Sequence, residues 1–310
     1  VTTDDNLSAA TRGQPRVALV TCRGLPDLDP DDRDLVPALA ALGIDARPAV
    51  WDDPAQDWAA FDQVVLRSTW DYAPRRAEFL DWARHVPRLA NPAGVVAWNT
   101  DKRYLDELAA EGVPTVPTAW LAPGVAAALP GGGHHVLKPA VGAGSVDTGR
   151  YDLGDPRESD LAVAHVRQLH AAGRTVMLQP YLHAVDTDGE TALLYLAGRY
   201  SHAVRKGPML DGPDHGFEGL FRPEEITARQ PTPAQRAVAD AALAAACRRT
   251  GLAEPPLYAR VDLIPGPDGS PVLVELELTE PSLFLGYAEG AARRFAAAIA
   301  ARLAVPATPA

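Results

Sequence analysis

Asp262, Glu275 and Glu277 lie in the stretch YARVDLIPGPDGSPVLVELEL, whose pattern predicts two strands joined by a Pro/Gly-rich turn. Glu275 and Glu277 are two residues apart, so on a strand they share a face. Val274, Leu276 and Leu278 then point the other way, toward a core. A register placing Asp262 opposite Leu273 would gather all three carboxylates on one surface. Hard oxygens gathered in this way suit Mg²⁺, which is usually held by one or two carboxylates together with substrate phosphates. Alternating acidic and apolar residues equally describe an ordinary half-exposed strand, so the hairpin gains meaning only from the rest of the chain.

Two lysines could hold phosphate. Lys102 falls in the first turn of a predicted helix over 99–113, capped by Asn99 or Thr100, where the helix dipole disfavours a cation. An anionic ligand would offset that cost; an exposed lysine of no consequence is the equal alternative. Lys138 ends an apolar strand and precedes the glycine-rich AVGAGS. Gly142 and Gly144 permit close backbone approach to a phosphate, and successive N–H groups can form an anion nest. No GKS or GKT follows, so this is not a P-loop.

These groups need elements to position them. RVALVTC, IDARPAVW and FDQVVLRSTWDY read as strands, with helical patterns over DRDLVPALAALG and AEFLDWARHV between and after them. This alternation predicts a small doubly wound domain over 16–98. Ligands of such sheets bind beyond the carboxyl ends of the strands. That makes Thr21, Arg23, Arg67, Ser68, Trp70, Asp71 and Tyr72 candidate substrate contacts, although Trp70 and Tyr72 serve equally well as space fillers. Beyond the helix come a strand-like TVPTAWL, a helical segment and the Lys138 strand. Three strands follow over 176–207, with Asp186 and Glu190 flanking a DTDGE turn, and Arg205 and Lys206 closing the third. GPMLDGPDHGFEGL has no periodicity and reads as a mobile loop able to act as a lid. PTPAQRAVADAALAAACRRTG and AEGAARRFAAAIAARLA are helices on either side of the carboxylate hairpin.

Composition narrows the function classes. The chain has 310 residues, which predicts two or three subdomains, and it is 47% hydrophobic and 22% charged, as in ordinary globular proteins. A net charge of −11 argues against a general nucleic-acid binder. No apolar run is long enough to span a membrane. The first 15 residues read as a polar, disordered leader with no signal-peptide core. Cys22 and Cys247 are the only two cysteines, too few for a disulfide framework or a thiolate zinc site. These features point to the cytoplasm.

The order of features is more specific than any one of them. Lys102, then KPAVGAGS, QPYL followed by Asp186, RVDL and VELEL resembles the ATP-grasp superfamily of carboxylate ligases, the glutathione synthetase and D-alanine–D-alanine ligase group. The resemblance covers about residues 16–303. It implies an α/β ATP-grasp fold: the N-terminal doubly wound domain over 16–98 binds substrate, and two α+β subdomains, 99–178 and 179–310, clamp ATP. It also implies ATP and Mg²⁺ as cofactors, an amino-acid-like substrate and a homodimer. By position, Lys102 and Lys138 resemble the phosphate lysines. Gly142, Gly144 and Ser145 match the loop that folds over the phosphates. Gln179, Tyr181 and Leu182 match the adenine hinge, and Asp186 the acid that takes the ribose hydroxyls. Arg260 matches the arginine that stabilises the transferring phosphoryl group, and Asp262, Glu275 and Glu277 match the metal ligands. The chain departs from the superfamily at Glu277, where Asn is common, and at Gln179, where Glu is common.

VTCRGLPDLDPDD, RSTWDY, SHAVRKGP and ELELTEPSLFL further resemble the cycloserine-biosynthesis branch, the O-ureidoserine cyclo-ligases. That resemblance puts Arg23, Arg67, Ser68, Trp70, Asp71 and Ser282 at the substrate and Arg205 beside Arg260 as a catalytic residue. The implied reaction is ATP-driven closure of O-ureido-D-serine to D-cycloserine. The alternatives are a ligase joining two amino-acid-like substrates, a kinase, or a nucleotide-binding module without chemistry.

Overall fold

The computed structural model describes residues 13–125, 128–214, 216 and 219–304. Most of the expected leader, residues 1–12, lies outside the described residues.

The N-terminal part alternates as its apolar runs predict. Strand β1 (Arg16–Thr21) leads to α1 (Leu35–Ala40), β2 (Asp45–Val50), β3 (Gln63–Ser68), α2 (Arg76–His85), β4 (Leu89–Ala90) and α3 (Ala93–Asn99). The strands form a parallel sheet in the order β2-β1-β3-β4. Strand β3 is buried along its whole length, as a central parallel strand covered on both faces must be.

The helix expected over 99–113 is interrupted. Asn99 is the last residue of α3, and α4 (Tyr104–Ala110) begins after a turn that carries Lys102. Then follow β5 (Ala119–Leu121), β6 (His134–Pro139), β7 (Gly149–Asp152), α5 (Pro156–Ala171) and β8 (Val176–Pro180). These strands form a second, antiparallel sheet, ordered β5-β8-β6-β7. The helical segment expected before β6 is not formed by described residues 122–125 and 128–133. Strand β8 also runs through the expected boundary between residues 178 and 179.

The third sheet is antiparallel and holds the carboxylate hairpin. Its elements are α6 (Ala184–Asp188), β9 (Glu190–Leu196), β10 (Arg199–Lys206), β11 (Ile226–Arg229), α7 (Pro233–Thr250), β12 (Tyr258–Pro265), β13 (Pro271–Glu277) and α8 (Ala291–Ala304). The strand order is β11-β10-β9-β12-β13. The expected DTDGE turn is mostly helix α6, and Asp186 sits within it.

The two faces of this sheet serve different purposes. Leu193, Val261, Leu263, Leu273, Leu276 and Leu278 pack toward α7. Thr232 and Gln235 form a capping box at the start of α7, and Gly251 ends it at φ +67°. Ala192, Leu194 and Val204 join a core shared with the N-terminal sheet and with Phe295 and Ile299 of α8. Strand β13 lies at the sheet edge, where unpaired backbone groups need partners. Asn99 supplies them: its amide donates to the Leu276 oxygen at 2.7 Å and its side-chain oxygen accepts from the Leu278 N–H at 2.6 Å.

Candidate active site

The hairpin register differs from the expected one. Asp262 pairs with Glu275 and Arg260 with Glu277, whereas Leu273 pairs with Leu263. The shift between Asp262 and Leu263 leaves Val274 as the extra residue of a β-bulge. Directly opposed residues share a face, so Arg260, Asp262, Glu275 and Glu277 lie together on the cleft side. The bulge also turns Val274 into the cleft, not into the core where strict alternation would send it.

The cleft lies between the second and third sheets. Its inner end carries an apolar wall of Tyr181, Val185 and Ile264, against which Val136, Leu182 and Val274 pack. Gln179 is buried beside it and donates to the Thr118 hydroxyl at 2.9 Å. Asp186 lies at the margin, accepting from the Tyr181 hydroxyl, with Arg150 at 3.7 Å. Toward the middle, Lys102 and Lys138 approach Glu275 at 2.8 and 3.9 Å. Lys102 also donates to the Gly142 oxygen at 2.9 Å. Burial opposes ionisation of Glu275, but these two ammonium groups prevail and hold its carboxyl down at about 2.

The glycine-rich loop adopts a conformation that requires small residues. Gly144 has φ +62° and Ser145 φ +56°. A Cβ on Gly144 would stand 2.2 Å from the Leu220 oxygen. The last residue of the expected lid loop and the residues just after it therefore pack directly on this loop, and the Arg222 N–H donates to the Gly144 oxygen at 3.0 Å. Phe221 meets the ring of Trp70 edge-on, with centroids 5.0 Å apart.

Several expected contacts lie elsewhere. Arg205 points away from the cleft and donates to the main-chain oxygens of Asp188 and Thr187 at 3.0 and 3.4 Å. Lys206, on the opposite face of β10, takes the inward position among Glu190, Glu224 and Asp262 at 3.2 to 3.4 Å. Burial opposes its charge, yet those three carboxylates raise its pKa well above the usual lysine value. Adjacent residues on a strand face opposite ways, and sequence order does not say which of two neighbouring cations turns inward. Glu190, read from the sequence only as flanking a turn, and Glu224 and Glu280, which local pattern did not single out, are likewise cleft residues.

Of the expected substrate contacts, Trp70, Tyr72 and Ser282 line the cleft, whereas Thr21, Arg23, Arg67, Ser68 and Asp71 do not. Arg23 is 62% exposed and pairs with Asp52. Asp71 accepts from the Trp51 indole at 2.8 Å. Ser68 is buried against Asp29 and Asp32. Arg67 is 0% exposed, pairs with Asp32 at 3.0 Å and donates to the Pro281 oxygen at 2.7 Å. Its role is structural. It belongs to a clamp on residues 279–283 in which each main-chain oxygen accepts from a side chain: Tyr258, Trp70, Arg67, Arg260 and His202 in turn.

The carboxylates fit Mg²⁺ in donor chemistry, with one change from expectation. Asp262 is 1% exposed and both its oxygens are occupied by Arg260, with Lys206 also at 3.3 Å. Among the described residues no three acids, histidines or cysteines gather about one point. Glu275 and Glu277 face the cleft, and two carboxylates are the usual protein share of such a site. Burial, and then the charges of Glu275 and Asp262, overcome Arg260 and push the Glu277 carboxyl up to about 7. That excess of negative charge is what a divalent cation would relieve.

A family model for the N-terminal domain of the D-cycloserine synthetase DcsG matches residues 17–91. The cycloserine biosynthesis protein DcsG of Streptomyces lavendulae is 45% identical over 303 residues, covering 93% of this chain and 98% of that protein. A crystal structure of D-cycloserine synthetase DcsG superposes with a TM-score of 0.83 at 44% identity, over 93% of this chain and 99% of the other. At the level of fold, the D-alanine–D-alanine ligase of Bacillus anthracis, solved with ATP, has a TM-score of 0.61 at 14% identity, over 93% and 97% of the two chains.

Proposed function

The chain belongs to the ATP-grasp ligases, in the family of the D-cycloserine synthetase DcsG, and from that premise we propose that it closes O-ureido-D-serine into D-cycloserine. It is an ATP-dependent ligase, and the proposal concerns its substrate and the residues that act on it. The observation that carries the reading is the convergence of Lys102, Lys138 and Arg260 on Glu275 and Glu277 in one cleft.

A carboxylate is a poor electrophile because its leaving group would be oxide. Attack of the substrate carboxylate on the γ-phosphorus of ATP releases ADP and gives an acyl phosphate. The ureido nitrogen bonded to oxygen then attacks the acyl carbon, loses its proton, and expels inorganic phosphate as the five-membered ring closes. The carbamoyl group left on that nitrogen departs by addition of one water, as carbon dioxide and ammonia.

The chain's own groups supply position and charge. The apolar wall of Tyr181, Val185 and Ile264 receives the adenine ring. Lys138, Lys102 and the backbone of residues 142–145 hold phosphate oxygens, which replace Glu275 as the lysines' partner. Bound Mg²⁺, held by Glu275 and Glu277, would neutralise charge on those oxygens. Arg260, fixed by Asp262 and by the Ser282 oxygen, faces the transferring group. Removing one such donor typically costs about 3–4 kcal/mol in barrier. The 219–222 segment, seated on Gly144 and Trp70, keeps water from the acyl phosphate.

We place the enzyme in the cytoplasm, where ATP is made, as a homodimer whose mass in solution is directly measurable. The deciding experiment uses O-ureido-D-serine labelled with ¹⁸O in the carboxyl group. Ring closure through an acyl phosphate transfers one label to inorganic phosphate and yields D-cycloserine. A stable phosphorylated product would identify a kinase, and an amide with an added amino acid would identify an intermolecular ligase.

A further inference from the structure

Among the described residues, the carboxylates of the cleft are matched with cations, with one exception. Glu275 has Lys102 and Lys138, Glu277 and Asp262 have Arg260, and Glu190 and Glu224 have Lys206. Glu280 lines the same cleft, is only 8% exposed, and makes no ion pair among the described residues. The Tyr72 hydroxyl lies beside its carboxylate. Lys102 acts on it only through space, its ammonium being held by Glu275 at 2.8 Å and the Gly142 oxygen at 2.9 Å.

The main chain at Glu280 is fixed. Its own oxygen accepts from the Trp70 indole at 2.9 Å, and the next oxygen, on Pro281, accepts from Arg67 at 2.7 Å. The side chain is thus held in the cleft from an anchored backbone, three residues beyond Glu277. A buried carboxylate without a cation is costly, and an arriving cation removes that cost. Burial, and after it the charge of Glu277, pushes this carboxyl up to about 8. A second divalent cation is a poor match, because the adjacent carboxylates are already engaged and the remaining partner is a tyrosine hydroxyl. A primary ammonium needs only one carboxylate and a neighbouring oxygen.

We infer that Glu280 is the group that receives the α-ammonium of the amino-acid substrate, with the Tyr72 hydroxyl beside it. The assignment rests on the reading of the substrate as an amino acid. In such a substrate a single carbon separates the ammonium from the carboxyl group. Holding the ammonium at Glu280 therefore brings the carboxylate toward Glu277 and Arg260, where phosphoryl transfer takes place. Selection between an amino acid and its deamino counterpart follows, because only the former neutralises Glu280.

The test compares the wild-type enzyme with Glu280→Gln on two compounds, O-ureido-D-serine and 3-(ureidooxy)propanoate, which lacks the amino group. ADP release yields kcat/KM for each. The wild-type preference for the amino compound should shrink by about 50-fold in the variant, the scale of a lost charge-assisted contact. An unchanged preference, whatever the absolute rates, overturns the assignment. Should the wild type ignore O-ureido-D-serine but release ADP with another member of a D-amino-acid panel, the ring-closure reading fails. The same ratio, measured with that acid and its deamino counterpart, still decides the role of Glu280. ADP release with non-amino carboxylates alone, or with nothing on the panel, overturns it.

Discussion

The Trp70 indole, from the turn after β3 of the N-terminal sheet, donates to the main-chain oxygen of Glu280 at 2.9 Å, tying the substrate side of the cleft to the carboxylate hairpin. Three residues earlier in the sequence, Arg67 makes the corresponding bond to Pro281. Trp70→Phe leaves one carbonyl without its donor and should lower unfolding free energy by about 1–3 kcal/mol. Arg67→Met strands the Asp32 carboxylate in the core and should cost about 3–5 kcal/mol. Urea denaturation of both variants checks the order; an Arg67→Met protein as stable as wild type would remove the clamp from consideration.

Lys206 and Arg205 are neighbours with opposite orientations, so they should respond differently to truncation. Lys206→Met leaves Glu190, Glu224 and Asp262 without their shared ammonium and should lower kcat on the order of 10²–10³-fold. Arg205→Ala removes only bonds to the oxygens of Asp188 and Thr187, and should cost about 1 kcal/mol of stability with kcat within a few-fold of wild type. Steady-state ADP release distinguishes them. Equal losses of kcat would restore Arg205 to the catalytic set.

Gly144 is required by both its dihedral and its surroundings. Alanine there must adopt φ near +62° and place its Cβ 2.2 Å from the Leu220 oxygen, so the glycine loop and the 219–222 segment must separate. The KM for ATP should rise by about 10-fold or more, with a smaller change in thermal midpoint. Nucleotide titration of Gly144→Ala provides the check, and an unchanged ATP affinity would detach this loop from phosphate binding.

Asp31 carries a pH dependence of stability. One of its oxygens accepts from the Gly286 N–H at 3.2 Å, while the other is buried without a partner. Burial, and then the charge of Asp32, raises its carboxyl to about 6 from an ordinary 3.8. The folded state therefore binds a proton that the unfolded chain has already released. This contribution is fully present below about pH 4 and is lost as pH rises through about 6. Asp31→Asn keeps an acceptor for Gly286 and should stabilise the protein above pH 7 by up to about 3 kcal/mol, with no gain near pH 4. A pH-independent difference would refute this.

Sequence patterning reached some parts of the site and stopped short of others. Glu275 and Glu277 share a face because period-two alternation is a local property of a strand. Val274 broke that alternation because a bulge depends on how two strands pair, which neither strand encodes alone. A continuous helical pattern puts Lys102 in a helix. Asn99 ended the helix, its side chain satisfying the edge of a strand more than 170 residues away. The apolar run sets Arg67 at a strand end, as the structure has it, but its partners Asp32 and Pro281 come from distant segments and take it out of the cleft.

The apolar runs and the glycine loop after Lys138 were legible because each depends on neighbours within one element, whereas the ATP-grasp fold and the ATP chemistry came from the family resemblance carried by the order of the charged motifs. The choice between Arg205 and Lys206, the loss of Asp262 to Arg260, and the lack of an ion pair at Glu280 among the described residues arose only on assembly of the three sheets. They depend on which charges meet in a low-dielectric cleft, and those charges come from strands and turns far apart in the chain.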